Sequence, residues 1–150
     1  MIMLVGGILW GLAMVASMLV YQWQHFGLNT FHLASLCRFY FAGGFLGWTV
    51  SLPIARWIGR RRSRETRLAA CMLGLTLGTL GFTALVFAIE YRSFYARWHD
   101  PVFTLTWGIQ LVATTLGACY QFLVLGLPQY LPIAFPLLLV VSFALAKWIR

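Results

Sequence analysis

From Pro101 to Ala146 the chain carries no charged side chain, an uninterrupted stretch of 46 residues. Water does not solvate so long an uncharged segment as surface, and a chain of this size has no core large enough to bury it. Two further runs are uncharged, Ile2 to Tyr21 and Leu68 to Ile89, and a third, Phe31 to Ile54, contains only Arg38. Each is close to the roughly 20 residues that an α-helix needs to cross a bilayer. The runs are continuous rather than alternating, and about twice the length of a barrel strand of ~10 residues, which excludes a β-barrel. Composition agrees: 61% of the 150 residues are hydrophobic and 9% charged, whereas a soluble domain carries about a quarter charged residues. Lipid is the solvent that such a surface requires.

The stretch from Pro101 to Ala146 is too long for one span and suits two. Gly and Pro punctuate it at Gly126-Leu127-Pro128-Gln129-Tyr130-Leu131-Pro132, so a break is expected there. The sequence therefore predicts an all-α integral membrane protein, a single five-span bundle over 1–150 with spans at about 2–21, 31–54, 68–89, 102–125 and 131–146. Pro128, Pro132 and Pro136 lie four apart, which predicts a kinked entry to span five; a re-entrant hairpin is the alternative. The first run lacks a basic segment before it and a small-residue cleavage site, so it reads as a retained span rather than a signal peptide.

Arg56, Arg60, Arg61, Arg62, Arg64 and Arg67 are six of the eleven basic residues and fall between spans two and three. The bias of Arg and Lys towards cytoplasmic loops puts this cluster inside, and with it the N-terminus. Five spans then put the C-terminus outside, with Lys147 and Arg150 against the rule; a re-entrant fifth segment removes the conflict. Trp23, Trp57, Trp98 and Trp148 fall at predicted span ends, as interfacial aromatic belts do. The expected partners are the bilayer itself, anionic headgroups at Arg60, Arg61, Arg62, Arg64 and Arg67, and a homo- or hetero-oligomeric neighbour within the membrane. The net charge of +8 is not read as nucleic-acid affinity, because nothing beside the cluster stacks on or reads bases. Arg outnumbers Lys ten to one, an association that leans towards a bacterial cytoplasmic membrane.

Polar side chains in the spans are the candidates for function. Ala70, Gly74, Gly78, Gly81, Ala84 and Ala88 form a small-residue stripe along span three, and Thr76, Thr79, Thr83 and Glu90 share a sector on its other side. A helix with two packing faces belongs in the middle of the bundle. Thr106, Gln110, Thr114, Gly117 and Gln121 recur at helical spacing in span four. A polar seam between spans three and four would conduct a small solute or a proton; as interhelical glue it would only hold the bundle together. Glue is favoured, since no acid lies at mid-depth. G-x-x-x-G occurs at Gly7/Gly11 and Gly43/Gly47, read first as packing within the chain.

Arg38 lies 18 residues from Arg56, about 27 Å at the helical rise, and Glu90 lies 22 residues from Leu68, about 33 Å. Both reach the outer edge of the hydrocarbon, where an Arg38–Glu90 ion pair is expected. His25, His32, His99 and Asp100 also fall on the outer side. No His pair at i, i+4 exists, so no metal site is assigned, and a b-type haem lacks a second axial ligand. Cys37, Cys71 and Cys119 are dispersed and read as inert thiols. No catalytic residue and no cofactor are assigned. The favoured function is a non-catalytic accessory, assembly or sensor-like subunit; a small transporter or channel and an outer-face lipid or quinone enzyme are the alternatives.

Overall fold

The computed structural model describes residues 2–148, and of the side chains those from Met3 to Trp148. It is all-helical, with no strand among the described residues: α1 (Ile2–Gln24), α2 (Leu33–Gly59), α3 (Arg64–Tyr95), α4 (Leu105–Gln121) and α5 (Ala134–Trp148). Three helical stretches are long and apolar enough to cross a membrane: Met3–Gln24, Arg64–Trp98 and Leu105–Tyr130.

Of the helices that overrun the apolar runs that predicted them, α2 and α3 do so by the most. The second extends to Gly59 rather than about 54, and the third covers Arg64 to Tyr95 rather than about 68–89. A change of solvent does not end a helix; capping does. Before α3, Ser63 takes extended backbone and its Oγ accepts from Thr66 N at 3.3 Å, an N-cap that starts the helix four residues ahead of Leu68. At its far end the ladder continues past Glu90 into a 3-10 turn at Ala96–Trp98. The 32 residues of α3 thus measure about 48 Å, well beyond a hydrocarbon layer of ~30 Å. Each loop between consecutive helices from α1 to α4 turns through one non-Gly residue at positive φ: Phe26, Arg61 and Phe103.

α1, α2 and α3 form an antiparallel trio. Gly7 faces Phe45 and Gly11 faces the backbone of Phe41, so α1 and α2 approach closely. Between α2 and α3 the approach is closer still: a Cβ on Gly47 would lie 2.6 Å from Thr79 Cα, and one on Gly43 would collide with Thr83. Trp10, Met14, Met18, Tyr40, Leu52 and Leu75 are buried at the centre of this core.

The second half of the chain departs from expectation. α4 and α5 do not form a hairpin; they follow one another along α3 in the same direction. Gln110 meets Asp100, Gly117 faces Tyr91, Phe122 packs on Phe87 at 5.8 Å, and Tyr130 bonds Thr83. Leu145 packs at Ala55 and Cys71, and the Arg56 guanidinium lies 3.8 Å from the centroid of the Trp148 ring. The α5 C-terminus therefore lies at the Arg-rich end, alongside the start of α1, rather than at the opposite end as five alternating spans require. The physical reason lies in the prolines. Pro128, Pro132 and Pro136 remove backbone donors, but a π turn at Phe122–Gly126, a 3-10 turn at Leu127–Tyr130 and side chains from neighbouring helices take up bonds that a regular helix would have made. The punctuation interrupts the ladder without reversing the chain. α5 has 15 residues, about 22 Å, and alone is short of a bilayer.

Candidate functional site

The residues of the expected seam do not line one surface. Thr79 Oγ1 accepts from the Trp10 indole at 2.9 Å, and Thr83 Oγ1 donates to Thr79 O at 2.8 Å. That leaves Tyr130 as donor in its 2.6 Å bond to Thr83. Both threonines are buried against the glycines of α2 and do not face α4. On α4, Thr114 bonds back to the carbonyls of Gln110 and Leu111, Thr106 bonds Thr104, and Gln110 Oε1 accepts from Asp100 N at 2.9 Å. Thr76 lines a separate apolar cavity of about 250 Å³ beside Trp10 and Tyr130. Glu90 and Gln121 line a different cleft, at the end of the bundle opposite the Arg-rich turn. The seam divides because α4 meets α3 around Phe87 and Tyr91, about 12 Å or more along the helix from Thr79.

Midway between the two ends of the bundle a bonded core replaces it. The Tyr40 hydroxyl donates to Gly126 O at 2.6 Å, and the Tyr40 and Tyr130 rings lie 4.9 Å apart. Ser17 of α1 donates to Gln129 O at 2.9 Å and accepts from the N–H groups of Ile133 and Ala134 at 3.2 Å each. Ser17 thus caps α5 from another helix, which satisfies donors that Pro132 and the turn leave free. Gln129 Nε2 donates to Leu125 O, while its Oε1, in a side chain only 6% exposed, has no partner. Ser17, Tyr40, Gln129 and Tyr130 escaped the sequence analysis because none belongs to a polar stripe. Their signal was a polar atom at mid-depth in an apolar helix, one residue at a time.

At the end of the bundle opposite the Arg-rich turn, a cleft of about 410 Å³ lies between α2, α3 and the end of α4. Its walls are aromatic: Phe39, Phe87, Tyr91, Phe94 and Tyr95. Its polar groups are His32, Ser35, Glu90 and Gln121. Phe39 and Phe87 meet edge to face at 4.9 Å and close the floor; the Tyr91 and Tyr95 rings, 4.6 Å apart, form one side. The expected Arg38–Glu90 ion pair is not made. Arg38 Nη2 donates to Ser35 Oγ at 2.9 Å, one turn back on its own helix, so its exposed guanidinium stands at the rim.

The other outer-side candidates are scattered. His25 Nδ1 lies 2.9 Å from Tyr21 O and its ring stacks on Tyr21. His99 sits in the loop after α3, and Asp100 uses its N–H on Gln110. Among the described residues no three His, Cys, Asp or Glu side chains come together to hold a metal. At the opposite end, Arg60, Arg61, Arg62 and Arg64 are exposed around the α2–α3 turn and Arg67 is half-buried. Glu65 there is held below the usual carboxylate range, first by the Ser63 hydroxyl and then by its own backbone N–H.

Long apolar helices, glycine-mediated helix contacts and an apolar exterior define an all-helical bundle compatible with a multi-pass membrane protein. No family profile, curated protein or solved structure matches the chain.

Proposed function

We propose that the chain is a multi-pass protein of the bacterial cytoplasmic membrane that works as a non-catalytic accessory or sensor-like subunit. α1, α2 and α3 each cross the bilayer, and α4 with α5 makes one broken fourth crossing. Both termini and the Arg-rich turn lie in the cytoplasm. Seven of the ten basic residues in the described part sit at that end: Arg56, Arg60, Arg61, Arg62, Arg64, Arg67 and Lys147. This fits the positive-inside bias better than five spans do. The exposed arginines meet anionic headgroups, each contributing about 1 kcal/mol near the surface.

One observation carries the functional reading: the bonded core around Thr79, Thr83, Tyr40, Tyr130 and Ser17 joins α1, α2, α3 and the broken helix to one another. Polar groups engaged in this way work as structural bonds rather than as a path for a solute. The experiment has two arms. Impermeant thiol labelling of single cysteines at Arg60, Lys147 and Asp100, with the native cysteines replaced, should mark the first two from one side and the third from the other. Lys147 and Asp100 reacting from the same side would refute the four-crossing arrangement. In proteoliposomes, proton or small-solute flux above the lipid background, abolished by Thr83→Val, would refute the accessory reading.

A further inference from the structure

We propose that the outer cleft binds the headgroup of a zwitterionic glycerophospholipid, an inference that rests on the membrane reading above. Its volume of about 410 Å³ lies in the range of small-molecule sites, ~300–1,000 Å³, and suits one headgroup with its glycerol. The floor at Phe39 and Phe87 is apolar, as the start of an acyl chain requires.

Charge complementarity selects the class. Glu90 lines the cleft, while the Arg38 guanidinium is held at its rim by Ser35, and the two do not pair with each other. Opposite charges left apart at the edge of a low-dielectric layer match a ligand that carries both signs in reverse order. The ammonium of an ethanolamine or choline group meets Glu90 and the faces of Tyr91 and Tyr95, which attract a cation through the ring quadrupole. The phosphodiester meets Arg38, whose planar fork suits phosphate oxygens. A headgroup whose only charge is its phosphodiester, such as phosphoglycerol, would satisfy Arg38 but leave Glu90 without a cation.

The test is native mass spectrometry of the full chain from mixed micelles holding equal amounts of phosphatidylethanolamine, phosphatidylcholine and phosphatidylglycerol. Wild type should retain one zwitterionic lipid per chain. Glu90→Gln and Arg38→Gln should each lower that retention by about tenfold, roughly one charge-assisted hydrogen bond. Arg97→Gln, at the same end but outside the cleft, should leave it unchanged, and thermal melts confirm that each variant is folded. Retention that follows the lipid mixture, or that survives either cleft substitution, overturns the proposal. Failure of the membrane reading looks different: the chain would then remain monodisperse in buffer without detergent.

Discussion

Gly47→Ala should be among the most damaging single methyls that can be added to this chain, whereas Gly81→Ala, in the neighbouring helix, should do no harm. A Cβ on Gly47 would lie 2.6 Å from both Cα and N of Thr79. Carbon atoms in contact sit about 3.7 Å apart, so α2 and α3 must separate by roughly 1 Å. The obstacle is backbone, which cannot swing aside as a side chain can. Overpacking of this kind costs about 1–3 kcal/mol. Displacing Thr79 also strains its bond from Trp10, worth about 1 kcal/mol more. The expected loss is therefore about 2–4 kcal/mol. At Gly81 nothing lies within 4 Å of the added methyl, and the higher helix propensity of Ala contributes at most about 1 kcal/mol in its favour. Reversible unfolding in mixed micelles, read by circular dichroism, measures both. If Gly47→Ala is as stable as wild type, or if Gly81→Ala falls with it, the close approach of α2 and α3 is not what holds the bundle.

Two further substitutions probe the bonded core. Thr83→Val keeps the shape of the side chain but strands the buried Tyr130 hydroxyl, so stability should drop by about 1–2 kcal/mol. Adding Tyr130→Phe should restore part of it, and strict additivity in the double-mutant cycle would show that the bond does not exist. Ser17→Ala removes one donor and the acceptor shared by Ile133 and Ala134. It should cost about 1–3 kcal/mol, with faster hydrogen exchange confined to 129–134, and uniform exchange across the bundle would count against a local cap.

The helices were legible in the sequence because continuous apolar runs of span length admit little else. The central place of α3 was legible too, since it carries small residues and threonines on different faces. Which faces meet was not. Gly74 and Gly78 do approach Ser51 of α2, but Gly81 in the same stripe faces open space. Thr79 and Thr83, from the sector that suggested contact with α4, pack into the Gly47 and Gly43 notches of α2 instead. Periodicity assigns residues to a face of a helix; it does not say which neighbour the face meets. The cleft between α2, α3 and the end of α4 was half legible. Glu90, Gln121 and His32 drew attention as polar residues, while its aromatic walls read as ordinary hydrophobic content. The ion pair failed for a local reason: Ser35 lies one turn from Arg38 and offers an acceptor without any helix having to move.

The course of the chain after α4 was the least legible feature, because hydrophobic length measures how much chain a bilayer can hold and says nothing of direction. Reversal needs a turn whose freed backbone groups reach water or a headgroup. At Gly126 to Pro132 they reach Tyr40, Gln129 and Ser17 instead. The bonds from Tyr40 and Ser17 hold the chain on its existing course along α3, while that of Gln129 is made within the break itself. The charge distribution points the same way. With Trp148 beneath the Arg56 guanidinium, Lys147 joins the basic end of the bundle. A prolonged uncharged stretch broken by Gly and Pro therefore admits two solutions, a hairpin and a broken single pass. The polar side chains that neighbouring helices offer at the break decide between them.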